Sequence, residues 1–229
     1  MDQLLLDGVH DGQTITNIEI VTSNPLLRHI KIGRKTIATL PIDVVEAIGI
    51  TKGELLTNEL ASTLEQAVVK LHIRKAAQKL IKRRAYSRGE LIQKLQTTIN
   101  DSALILIEMV VDDLCNKGAI DDEAYGRNIA ISLTQRGPIS QSQLKQKLCA
   151  RHINPDLAQQ IADQTLAEND PVEAAVTFAR KRIKTMQSKP EIVITRRLWG
   201  ALASRGFDSE TIRIVMNKVG LDIAEDIDS

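Results

Sequence analysis

Apolar positions recur along the chain with two different periods, and the change between them divides it. In ITNIEIV (15–21) and LLRHIKI (26–32) β-branched residues partly alternate with polar ones, Gly33 and Arg34 supply a turn, and KTIATL (35–40) continues the pattern, which predicts three strands. PIDVVEAIGI predicts a short helix, with Pro41 at its start, Val44, Val45 and Ile48 on one face, and Gly49 as its stop. A helix-permissive stretch begins near residue 60, since glycine is absent between Gly53 and Gly89 and proline between Pro41 and Pro138. From residue 64 the helical period is clear. Leu64, Val68, Leu71, Ala77, Leu80 and Ile81 mark a long helix, Ser87 caps a second with Leu91 and Leu95, and Ala103 to Leu114 form a third that Gly118 stops.

The same signs continue to residue 220. Asp121 or Asp122 can cap a helix with Tyr125, Ile129 and Leu133, which Gly137 and Pro138 end, and Ser140 caps another with Leu144 and Leu148. Asn154 before Pro155, and Asp170 before Pro171, each join a capping side chain to a first-turn proline. They open helices carrying Leu157, Ile161 and Leu166, then Val172, Val176, Ala179 and Ile183. Two last helices hold Val193, Ile194, Leu198 and Leu202, then Ile212, Val215, Met216 and Val219.

The short leucine helices repeat. Leu91 and Leu95, Leu144 and Leu148, and Leu198 and Leu202 share an LxxxL step, and Ser87 and Ser140 both stand four positions before the first leucine. Each lies between two other helices, so the chain reads as three three-helix units, about 64–118, 121–168 and 171–220, after a β-rich module at 1–62 and before an acidic tail at 223–229. Such units bury their apolar faces poorly alone. The expected fold is mostly α: three tandem three-helix repeats forming an elongated curved solenoid behind a small β-rich module. A single bundle with accidental leucine spacing is the alternative.

Composition narrows the function classes. The net charge is +1, from 30 Lys and Arg against 29 Asp and Glu, so no whole-chain charge argues for nucleic acid or membrane, and aromatic residues make up only 2%, too few for a base-stacking platform. The near-neutrality is an average over bands. Residues 70–94 hold nine basic side chains against Glu90, and 101–123 hold seven acids against Lys117. Residues 124–155 hold five basic side chains and no acid, 156–173 five acids and no base, and 180–205 eight basic side chains and one acid. Such banding suits a long partner with a patterned potential, and it also suits charged, solvated helix faces.

Cys115 and Cys149 sit in apolar helical patterns without a CxxC, as expected of reduced, buried thiols in a cytoplasmic protein. No apolar run approaches the roughly 20 residues of a membrane span. No phosphate-binding glycine loop, HExxH or GxSxG appears, and the histidines are scattered, so no catalytic site, metal or cofactor is expected. Asp112, Asp113, Asp121 and Asp122 are read as solvated or capping carboxylates rather than metal ligands.

Three segments carry a family resemblance. YSRGELIQKL (86–95), GAIDDEAYGRNIA (118–130) with QRGPISQSQLKQKL and ARHI, and RRLWGALASRGF (196–207) resemble, in order and spacing, the successive signatures of the RecX family of recombinase regulators. The resemblance implies a helical repeat protein that lies along a RecA filament on DNA and limits filament growth, coprotease action and strand exchange, catalysing nothing itself. Its implied partners are the RecA filament and single- or double-stranded DNA, with no membrane, and it is expected to act as a monomer. The alternative is a sequence-independent DNA-binding scaffold acting without recombinase, with an enzyme of unrecognised site a third class.

The basic residues expected to meet filament or DNA are Lys82, Arg83, Arg84, Arg88, Arg127, Arg136, Lys145, Lys147, Arg151, Arg196 and Arg197, with Arg136, Lys145, Lys147 and Arg151 of the middle unit leading. The sequence departs from the family pattern at Ala119 and Ile129, where aromatics are usual, at Pro138, and at Gly126, where Ala is usual and Gly should weaken the helix by up to about 1 kcal/mol.

Overall fold

A computed structural model describes residues 12–99, 103–167 and 170–221, so the acidic tail at 223–229 lies outside the described residues. The chain forms two bodies, one of residues up to 84 together with 91–117, the other of 85–90 together with 118 onward.

In the first body the three expected strands are β2 (Asn17–Val21), β3 (Asn24–Ile32) and β4 (Lys35–Pro41), an antiparallel sheet in that order with Ile30 paired to Ile18 on one side and Ala38 on the other. Two strands were not expected: β1 (Gln13–Thr14) and β5 (Leu55–Leu56) pair with each other, and each is too short to show alternation. Helix α1 (Ile42–Ile48) ends as expected on Gly49, whose φ of 78° lets its N–H reach the Val45 and Glu46 carbonyls.

Helix α2 (Asn58–Ile81) begins earlier than its clear apolar period, because the Thr57 side chain accepts from the Leu60 N–H and caps it there. Its first half completes the strand core: Leu64 is buried with Ile15, Ile30, Ile37, Leu40 and Leu56, and Leu60, Ala61, Val68 and Leu71 pack against them. Farther along, α2 packs on α4 (Leu104–Asn116), where Arg74 meets Asp113 at 2.7 Å. Asp113 also holds Lys117 at 2.9 Å, and these cations keep its carboxyl below the usual range. This side chain of the expected solvated pair therefore ties two helices. Between them in sequence runs α3 (Arg88–Ile99), with Leu91 and Leu95 fully buried.

The second body holds α5 (Asp122–Gln135), α6 (Gln141–Cys149), α7 (Pro155–Ala167), α8 (Pro171–Lys184), α9 (Glu191–Ala203) and α10 (Ser209–Val219). They group by threes around separate cores. Leu144 and Leu148 centre one with Ala130, Ile153, Ile161 and Ala162, and Leu198 and Leu202 centre the other with Val176, Phe207, Ile212 and Met216. The caps are those anticipated: Asp121 receives the Ala124 N–H at 2.9 Å, Ser140 that of Gln143 at 3.1 Å, Asn154 that of Asp156 at 2.8 Å and Asp170 that of Val172 at 2.8 Å.

Two expectations change. Gly126 is buried where α5 meets α7, and a Cβ there would stand 2.6 Å from the end of Ile161 and 3.0 Å from that of Ile153, so the glycine that lowers helix propensity also lets the two helices approach. Cys115 and Cys149 are outside any disulfide, as expected, but only half-buried.

Candidate functional site

The repeat seen in the leucines is also written in tertiary contacts of the second body. At the start of α3, the Ser87 hydroxyl is fully buried; it accepts the Glu90 N–H at 3.1 Å and donates to the Arg151 carbonyl, in the turn after α6, at 2.6 Å. At the start of α6, the Ser140 N–H donates to the Arg205 carbonyl, in the turn after α9, at 3.0 Å, and the Gln143 amide donates to the Ser204 carbonyl at 2.8 Å. Serine and arginine thus recur together, and a helix start meets the turn after the next short leucine helix in both places.

Each junction also places one glycine where the backbones crowd. Gly89 lies so close to His152 that a Cβ would stand 2.5 Å from the histidine Cβ. At the second junction the glycine is in the turn: Gly206, with φ of 80°, would bring a Cβ to 2.5 Å from the Ser140 hydroxyl and 2.6 Å from the Gln143 Cβ. His152 holds the corresponding left-handed position at φ 56°, the single non-glycine residue with positive φ among the described residues.

Electrostatics separate the two junctions. Around the first, Glu90 accepts from the Tyr125 hydroxyl at 2.9 Å and from Arg151 at 3.2 Å, while Asp122 accepts the Arg88 N–H at 2.6 Å. Burial raises the Asp122 carboxyl above its usual range, with the hydrogen bond from Arg88 opposing. A carboxyl whose folded pKa is raised favours the fold below its unfolded pKa of about 3.9 and loses that contribution as pH rises through the folded value. The melting temperature of the natural chain minus that of Asp122→Asn should therefore fall as pH is raised from about 3 to 7. A difference that grows with pH would contradict this placement of the carboxylate.

At the second junction Gln143 stands where Glu90 stands in the first, and Arg205 where Arg151 does. Arg205 has no carboxylate partner among the described residues; its guanidinium lies 4.3 Å from the centre of the Phe178 ring, with that of Arg182 at 5.7 Å from the same ring. Burial, and then the charge of Arg182, lower the Arg205 pKa.

The basic residues singled out from the sequence differ in exposure and in partners. Arg151 is engaged with Glu90 and Arg127 with Glu123, so each is partly neutralised. Arg84 and Arg88 have partners as well. Lys82 and Arg83 follow α2 on its exposed exit, Arg136 ends α5, and Arg196 and Arg197 are exposed on α9. Lys145 is half-buried and Lys147 exposed, and two residues apart on α6 they point to different sides. Lys145 and Lys147 therefore do not share one side of α6. Sequence reasoning passed over Phe178, Arg182 and Arg205; the signal was the replacement of the Glu90 position by Gln143 while the arginine recurred.

Comparisons with known proteins converge. Residues 168–216 match the description of RecX, third three-helix domain, which spans α8 to α10. The regulatory protein RecX of Chlorobaculum tepidum is 32% identical over 137 residues, 60% of this chain and 81% of that protein. That of Pelodictyon phaeoclathratiforme is 29% identical over 150 residues, covering 66% and 90%. A crystal structure of regulatory protein RecX superposes with a TM-score of 0.70 over 89% of this chain and 98% of the other at 16% identity, a likeness of fold.

Proposed function

Because the chain belongs to the RecX family of regulatory proteins, we propose that it binds a RecA recombinase filament on DNA and limits its ATP hydrolysis, strand exchange and coprotease action. The observation that carries the reading is the kinship itself, which extends over four-fifths or more of each relative above. What supports it physically is that the two three-helix groups of the second body carry exposed cations on packed helices, and an inhibitor that acts by occupying a surface needs order and charge. Among the basic residues, Lys147, Arg196 and Arg197 are exposed and make no ion pair with a described residue, so they lead the contact surface in place of the junction-bound Arg151. Two half-buried cysteines outside any disulfide fit work in the reducing cytoplasm.

The test is ATP hydrolysis by a RecA-class recombinase on single-stranded DNA as the full chain is added. The rate should fall at or below equimolar protein; an unchanged rate at equimolar protein would remove this function. Lys147→Glu combined with Arg196→Glu and Arg197→Glu should raise the concentration for half-inhibition about tenfold, or about 1.4 kcal/mol.

A further inference from the structure

We infer that Arg182 and Arg205, held against Phe178, form a binding site for the phosphate groups of a nucleic-acid backbone, an inference that rests on the filament reading for its setting and assigns the third unit to DNA rather than to protein. The starting point is a comparison within the chain. The two junctions share serine, turn and arginine, but the first supplies its arginine with Glu90 at 3.2 Å, while the second offers the Gln143 amide, which is used on the Ser204 carbonyl. Arg205 is nevertheless kept in place. Its Nη1 donates to the Ala201 carbonyl at 2.7 Å and its plane lies over Phe178, so its remaining N–H groups are fixed in direction at little entropic cost.

Arg182 is brought to the same ring, which sets two like charges close together. Neither makes an ion pair with a described residue, and an arrangement of this kind is stabilised when an anion joins it. Arg136 and Lys181 line the adjoining cleft of about 650 Å³ beside Phe178. Its two acids are engaged elsewhere, Asp170 in capping α8 and Glu173 with Lys218 at 2.5 Å.

Several cations in one neighbourhood suit a polyanion with a charge at each nucleotide better than a lone carboxylate, and phosphate oxygens accept the forked donors of arginine. Because Phe178 already carries Arg205, its ring is not offered to a base. The site would therefore grip backbone without reading sequence.

The test uses the full chain without recombinase and a fluorescent single-stranded oligothymidylate, with binding followed by anisotropy from about 50 to 200 mM salt. Arg182→Glu with Arg205→Gln should make the plot of log affinity against log salt shallower by about 1.4, which removes about sevenfold of the affinity change across that range. Gln143→Glu, which supplies the carboxylate found at the first junction, should remove about half as much while leaving every arginine in place. Thermal unfolding of each variant confirms that it is folded. Folded variants with the natural slope, or a natural chain that does not bind the oligonucleotide, overturn the inference. So do variants that lose binding to DNA-free recombinase while keeping the oligonucleotide, an outcome that assigns the cluster to an acidic protein surface. A natural chain whose oligonucleotide binding depends on these arginines but which leaves recombinase ATP hydrolysis untouched keeps this site and removes the filament reading.

Discussion

Gly206→Ala should destabilise the second body by about 2–5 kcal/mol. Two costs add: an alanine in the left-handed region loses about 1–2 kcal/mol, and forcing a methyl group into a packed contact loses about 1–3 kcal/mol. The neighbours at 2.5 and 2.6 Å are the Ser140 hydroxyl and the Gln143 Cβ, both next to the backbone of α6, so relief requires the helix to move. Gly220 is the internal control, since it has a similar φ of 76° but nothing within 4 Å of its missing Cβ. Gly220→Ala should pay only the backbone cost. Urea unfolding of the two variants measures the difference, and equal midpoints would mean that the second junction is not a close contact.

Ser87→Ala should cost about 2–4 kcal/mol, and more than Ser140→Ala. The Ser87 hydroxyl both caps α3 and satisfies the Arg151 carbonyl from a fully buried position, so alanine removes a cap and leaves a part-buried acceptor without its donor. Ser140 caps α6 in the same way, but at its junction the bond to the turn comes from the Ser140 backbone N–H, which alanine keeps. The Ser140 variant should therefore lose only the capping part, about 0.5–2 kcal/mol. The same urea series decides the order, and a Ser140 variant that lost as much as the Ser87 variant would show that the serine–carbonyl bond contributes nothing.

Local chemistry is what the sequence makes legible. A cap joins a side chain to a backbone N–H two or three residues on, so Ser87, Asp121, Ser140, Asn154 and Asp170 mark the starts of their helices within a few letters of sequence. Gly49, Gly118 and Gly220, each with positive φ, mark stops in the same way. Contacts across many residues are not legible. Gly126 reads as a weak spot in α5 because its reason lies in Ile161 on α7. Basic residues counted as bands cannot be sorted into those holding the junctions, such as Arg151, and those open to a partner, such as Arg197, since Glu90 lies 61 positions before Arg151. The pair β1 and β5 escapes because two residues carry no period.

The two junctions have a further consequence in time. The Ser87 hydroxyl acquires its carbonyl partner only when residue 151 exists, 64 positions later, and the start of α6 must likewise await Arg205. At about 5–20 residues per second of synthesis, each interval lasts about 3–13 s. During it the emerging chain carries a three-helix segment whose serine has nothing to close on. Closure within the second body thus follows the order of synthesis, each helix start waiting for a turn made later, and a chain halted between the two arginines would have its first junction closed and its second open.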